Sequence, residues 1–258
     1  MSLPSVFLTA AACLLTLLTA IAEPEKAPER HVRFLPVGDS PPFVQEIRDG
    51  VSYEIDPPLD SEPPRQIVPG FGKESANAVG LHLGRISAPV TIPGGEGALD
   101  LRRPGATPDA ASWHSLKRPE SGDFLVCLFR SPKQRTWTEA TSLVIPDGPE
   151  GWPSGTLRIV NLYPIGVRIV WNGQPAMLPP GKSVLHPIQP GTEIPFQILV
   201  ADATGALKRY YSGSVTQNPG ERGLVTIYRA DSENPRRPVK VLMLREPAAP
   251  PPPPKVKK

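Results

Sequence analysis

The chain has 258 residues, 36 of them proline and 22 glycine, and 28 basic against 25 acidic side chains give a formal charge of +3. Lys255, Lys257 and Lys258 supply that whole excess, so residues 1–254 sum to zero and no body-wide basic face for nucleic acid is implied. Proline at short intervals forbids long helices, while an apolar content of 39% suffices for a core and argues against a low-complexity chain.

Residues 6–21 (VFLTAAACLLTLLTAI) form an apolar run ending in the small-x-small signature Ala20-Ile21-Ala22, ahead of the charged Glu23-Pro24-Glu25-Lys26. The pattern is that of a signal peptide over residues 1–22, and it predicts export to the periplasm, the cell envelope or the medium. The run is shorter than the ~20 residues of a spanning helix, and retention as an uncleaved anchor is the rival reading. Cys13 lies inside it. Once a leader is removed Cys127 is the only cysteine, so no intramolecular disulfide can form. Cys127 sits in the apolar run 123–130 (DFLVCLFR), which predicts a buried small hydrophobe rather than a nucleophile.

Past a charged lead, strand-like segments follow at 31–37, 43–48, 51–55, 79–83, 88–92, 97–101, 123–130 and 141–145. The second half adds 156–162, 165–171, 174–178, 183–188, 194–200, 206–213, 222–229 and 238–244. Several alternate in polarity, as in Thr156-Leu-Arg-Ile-Val-Asn-Leu162, and no window has the i, i+3, i+4, i+7 spacing of an amphipathic helix. Asp49-Gly50 and Asn172-Gly173 each separate two such segments and tolerate the positive φ angles of a type I′ turn. Each hairpin is followed by a diproline stop, Pro57-Pro58 and Pro179-Pro180. The repetition predicts two related modules with a hairpin at the same place in each. Gly94-Gly95-Glu96-Gly97 reads as a further hairpin turn, and residues 100–122 as a long irregular connection. The Gly/Pro-rich stretch 145–155 marks a boundary. The fold class expected is therefore all-β, with two immunoglobulin-like β-sandwich modules at 31–148 and 155–246. Residues 247–258 (PAAPPPPPKVKK) should form a disordered, extended proline-rich tail. Its Lys255, Lys257 and Lys258 could touch an acidic envelope polymer or anionic lipid.

The chemistry-bearing motifs are sparse. Val37-Gly38-Asp39-Ser40 is similar to the nucleophile block of GDSL/SGNH esterases. The family's Asp-x-x-His and Gly-x-Asn-Asp blocks are missing, however, and Pro41-Pro42 would prevent the helix that should follow, so a Ser/Asp turn is expected. His31, His82, His114 and His186 are isolated in sequence, with no metal-ligand spacing and no cofactor motif among them. Trp113, Trp137 and Trp152 fall outside clear strands, where large rings either cap sandwich ends or stack on sugars.

Residues 155–245, through Leu157-Arg-Ile-Val-Asn-Leu162 and Leu178-Pro-Pro-Gly181-Lys-Ser183, resemble repeated β-sandwich domains of unknown function in bacterial exported proteins. That resemblance implies a β-sandwich in an extracytoplasmic setting and carries no functional residues with it. The function expected is a non-catalytic structural or interaction protein of the bacterial cell envelope, not an enzyme, with an envelope protein or polysaccharide as partner. The alternatives are a carbohydrate-binding module using Trp113, Trp137 or Trp152, and a hydrolase with a motif-free site.

Overall fold

The computed structural model describes residues 29–107, 110–131, 133, 136–232 and 235–248. The expected leader (1–22) and Lys255, Lys257 and Lys258 of the expected tail lie outside the described residues. Among the described residues there are nineteen β-strands and no α-helix, so the all-β expectation stands.

The first sandwich pairs an inner sheet with an outer one. The inner sheet has the order β11-β10-β1-β7, from β11 (Thr141–Pro146), β10 (Phe124–Phe129), β1 (Arg30–Val37) and β7 (Val90–Ile92). The outer sheet has the order β5-β4-β8-β9, from β5 (Glu74–Ser75), β4 (Gln66–Phe71), β8 (Ala98–Arg102) and β9 (His114–Lys117), and β6 (Val79–Gly80) also pairs with β4. The second sandwich repeats this order. Its inner sheet runs β19-β18-β12-β15, from β19 (Val239–Pro247), β18 (Glu221–Arg229), β12 (Thr156–Asn161) and β15 (Ser183–Pro187). Its outer sheet runs β14-β13-β16-β17, from β14 (Gln174–Leu178), β13 (Val167–Trp171), β16 (Ile194–Ala201) and β17 (Leu207–Val215). In both inner sheets the first strand pairs in parallel with the penultimate one, β1 with β10 and β12 with β18. Immunoglobulin sheets are antiparallel, so the likeness to them extends only to two packed sheets per sandwich.

The registers make the repeat exact to the residue. Val32 opposes Phe124 as Leu157 opposes Gly223, and Leu125 opposes Ile145 as Leu224 opposes Leu244. One face of each inner sheet packs on its own outer sheet. Val32, Phe34, Val126 and Leu128 lie in the first core; Leu157, Ile159, Val225 and Ile227 lie in the second. The other faces pack on each other in a third core. There Leu35, Val37, Leu125, Cys127 and Ile145 meet Val160, Leu162 and Leu224, with Leu242 and Leu244 against them. Equivalent positions of the two sandwiches thus meet across one interface. This explains why Phe124-Leu-Val-Cys-Leu-Phe129 is continuously apolar: a sheet buried on both faces has no solvent side on which to alternate.

Three sequence expectations are corrected. The duplicated hairpins do not occupy equivalent places. Asn172-Gly173 joins β13 to β14 inside the second sandwich. Its counterpart in the first is the turn between β4 and β5, whereas the Asp49-Gly50 hairpin, β2 (Val44–Arg48) with β3 (Val51–Ile55), is an insertion belonging to neither sheet. The turn chemistry itself was read correctly, with φ of 52° and 79° at Asp49 and Gly50 and 48° and 79° at Asn172 and Gly173. Gly94 to Gly97 make no hairpin, because β7 pairs with β1 and β8 with β4 and β9; the turn carries the chain from one sheet to the other. Finally, residues 100–122 are not wholly irregular. β8 runs to Arg102 and β9 pairs with it, Leu99 opposite Leu116.

β4 escaped detection because Pro69 and Gly70 interrupt Gln66 to Phe71, and both residues ordinarily argue against a central strand. Its ladder to β8 is only Val68 to Gly70 long. The Val-Asn and Leu-Pro-Pro-Gly grammar of the second half has a local cause. Buried Asn161 donates from Nδ2 to the carbonyls of Ile165 (3.0 Å) and Leu178 (2.9 Å) and accepts from the Tyr163 amide at 2.9 Å. Gly181, at φ 69°, donates back to the Asn161 carbonyl.

Candidate functional site

The three tryptophans offered for sugar stacking are withdrawn from solvent, at 8% exposure for Trp113, 0% for Trp137 and 1% for Trp152. Trp113 and Trp137 sit in the first core with ring centroids 6.5 Å apart, and Trp113 Nε1 donates to the Trp137 carbonyl at 2.7 Å. Trp152 lies in the core between the sandwiches. None of the three offers a face to a glycan. Their positions in turns made them look available, but the turns fold inward. Trp171 ends β13 and stacks on His186 at 4.6 Å.

Val37-Gly38-Asp39-Ser40 is a latch. Asp39 is buried, and its Oδ2 accepts from the amides of Asp231 and Ser232, both at 3.1 Å. The Asp39 amide in turn donates to Asp231 Oδ1 at 2.6 Å, so two Asp-Ser turns from different sandwiches cap each other. Lys240 Nζ pairs with Asp39 Oδ1 at 2.7 Å, and Arg130 Nε donates to Asp231 Oδ2 at 2.6 Å. Gly38 is required by this approach, because a Cβ there would stand 2.9 Å from Asp231 Oδ2 and 3.2 Å from Trp137. The carboxylate of the esterase-like motif is spent on holding backbone.

A second latch grips the other half of β1. Arg33 Nε and Nη2 donate to Asp147 Oδ2 and Oδ1 at 2.6 Å, and its Nη1 and Nη2 to Glu246 Oε2 and Oε1 at 2.7 Å. Arg222 completes the ring, donating to Glu246 Oε1 (2.9 Å), Asp147 Oδ1 (3.0 Å) and the Asp147 carbonyl (2.5 Å). Its guanidinium lies 4.2 Å over the Trp152 ring. Two cations thus alternate with two anions, joining β1 and the 147–155 connection to β18 and β19. Arg158 is the repeat's equivalent of Arg33 but is given only Ser183 Oγ and the Gly151 carbonyl.

Burial alone would raise the Glu246 carboxyl, but the Arg33 and Arg222 guanidiniums outweigh it and hold it below the usual range. Asp39 is likewise lowered, Lys240 and the Ser232 amide overcoming desolvation. A carboxyl with a lowered folded-state pKa contributes stability that is present above its unfolded value and lost as pH falls through the folded one. The urea midpoint is therefore expected to lose the carboxylates' share below about pH 4, beneath a shallower decline that starts near pH 6.5, where burial keeps His114 and His186 neutral in the folded chain. Glu246→Gln should flatten that acid limb, and a midpoint that instead drops on the alkaline side would contradict the assignment. Desolvation pushes the Cys127 thiol up to about 12, which makes it inert as a nucleophile.

An open groove of about 1260 Å³ runs along the end of the first sandwich between Lys117–Phe124 and Val144–Gly151. In it the His31 amide donates to Asp123 Oδ1 at 2.7 Å, with the His31 ring 3.5 Å from the same oxygen. Arg118, which lines it, and Arg30, which donates to Pro119 in that lining, are committed to carbonyls of the 93–97 turn and of Pro119. His82, His114 and His186 are elsewhere, and His114 Nε2 lies 2.8 Å from Ser142 Oγ. Among the described residues no group of three His, Cys, Asp or Glu could hold a metal ion.

Sequence reasoning found the β2–β3 hairpin but missed that it stands as an exposed arm outside both sandwiches. All ten of its strand residues are exposed. Seven of the twelve large exposed hydrophobics among the described residues fall between Phe43 and Leu59, so apolar exposure is concentrated rather than scattered. Pairing of Val44 with Ile55, Glu46 with Tyr53 and Arg48 with Val51 puts Val44, Val51, Tyr53 and Ile55 on one face. The root is firm. Diprolines 41–42 and 57–58 flank it, the Asp39 latch holds one side, and on the other the Asp60 carbonyl accepts from the Trp137 amide at 2.6 Å.

The chain matches no model of a known protein family and no curated protein.

Proposed function

We propose that the protein is an exported, non-catalytic interaction protein of the bacterial cell envelope. Two sandwiches fused face to face serve as a rigid mount for the β2–β3 arm, which docks on an envelope protein through Val44, Val51, Tyr53 and Ile55. The observation that supports this reading is the arm itself: an alternating strand pattern made for burial, with every side chain exposed. A two-stranded hairpin is marginal alone, so its apolar face implies a cover supplied by a partner. Residues 43–56 carry four carboxylates against one guanidinium, which suits a protein surface better than anionic lipid. Export rests on the leader-like residues 1–22, and a tethering role for the tail on Lys255, Lys257 and Lys258.

Replacing residues 43–56 by a short Gly-Ser linker is expected to leave the thermal midpoint nearly unchanged, since the arm belongs to neither sandwich, and to abolish retention on purified envelopes. Retention equal to that of the intact chain would overturn the proposal.

A further inference from the structure

We infer that the free edge of β3 is a self-association site at which the arms of two copies join into one four-stranded sheet. This rests on the docking role just proposed and supplies the wider apolar face that such docking would use.

Open edges invite pairing, and several of the other sheet edges are blunted. β5 and β7 are two and three residues long, β14 carries Pro175, and β17 carries Lys208 and Arg209. β3 has no proline and no lysine. Its sequence is also complementary to itself. In an antiparallel pair centred on Tyr53, Val51 meets Ile55 of the second copy, Ser52 meets Glu54, and the two tyrosines oppose each other. Apolar groups therefore face apolar groups and no like charges meet. The same operation on β2 sets Glu46 against Glu46, which is unfavourable.

The backbone polarity agrees. Arg48 and Val51 flank the two-residue turn and are bonded to each other, so Val51, Tyr53 and Ile55 direct their amides and carbonyls toward β2. Ser52 and Glu54 direct theirs outward. Across the new edge Ser52 and Glu54 then exchange both backbone bonds, and Tyr53 faces Tyr53 in the closer, non-bonded type of pair. Four strands with a central apolar strip of Val51, Tyr53 and Ile55 from each copy, flanked on each β2 by Val44 and the Glu46–Arg48 pair, replace two marginal hairpins. The contact is isologous and closes at two copies.

The non-bonded pair would bring the two position-53 Cα atoms to about 4.5 Å, within disulfide reach. In the full chain carrying Cys13→Ser, Tyr53→Cys is expected to give a disulfide-linked dimer under mild oxidation, and Glu46→Cys far less of it. Buried Cys127 does not compete. In sedimentation, Tyr53→Lys should weaken the dimer by ~tenfold or more by opposing two ammonium groups, and Ser52→Lys, opposite Glu54, should tighten it. Equal cross-linking at positions 46 and 53, or a Tyr53→Lys protein that sediments like the unsubstituted chain, overturns the inference. Envelope retention is scored separately: a strictly monomeric chain that is still retained through its arm defeats self-pairing and leaves the docking role intact.

Discussion

Arg222→Ala is expected to lower the unfolding free energy by about 3–5 kcal/mol, read as a shift of the urea midpoint at neutral pH. The figure is large because the side chain does several things at once. It neutralises Asp147 and Glu246, covers Trp152 and caps the carbonyls of Asp147 and Trp152. Deleting it leaves buried Asp147 and half-buried Glu246 sharing Arg33 alone. The ring spans both sandwiches, and the third core takes side chains from each, so the two halves are expected to unfold in one transition. Tryptophan fluorescence and far-ultraviolet dichroism should give coincident curves for the unsubstituted chain. Arg33→Ala and Arg222→Ala should not add, since both act on the same two carboxylates. A loss under ~1 kcal/mol for Arg222→Ala would mean that the ring behaves as an exposed surface pair.

Trp152→Ala should cost about 3–5 kcal/mol, and Trp152→Phe less, measured the same way. The indole is 1% exposed and fills space between Leu35, Ile145 and Leu224 under the Arg222 guanidinium. Truncation opens a cavity in the contact between sandwiches and strips the cation of its aromatic floor. A sugar-stacking ring behaves in the opposite way, because its removal ends binding while stability stays put. The same measurement therefore separates a packing role from the glycan alternative. Unchanged stability together with lost glycan binding would restore that alternative.

The esterase-like tetrapeptide and the aromatic turns show where reading the chain alone reaches its limit. Gly38 and Asp39 are unusual for a reason, but the reason is Asp231, 192 residues away. Trp152 follows Gly148, Pro149 and Gly151, which line an open groove, yet its own ring turns into the core between the sandwiches. The arm misled in another way. Val51, Tyr53 and Ile55 alternate as a half-buried strand should, so Asp49-Gly50 looked like the partner of Asn172-Gly173. The pattern records what a strand can bury, and carries no information about what stands opposite it.

Local chemistry alone determined that this chain makes strands, where most of them lie and how two of its turns bend. Alternation, β-branched content and tolerance of positive φ act over a few residues. Tertiary structure decided which sheet each strand joined, that two sheets would be buried on both faces, and that one hairpin would stand outside. Those outcomes depend on contacts between segments far apart in the chain, and strand pairing is chosen by the core that results rather than by either strand.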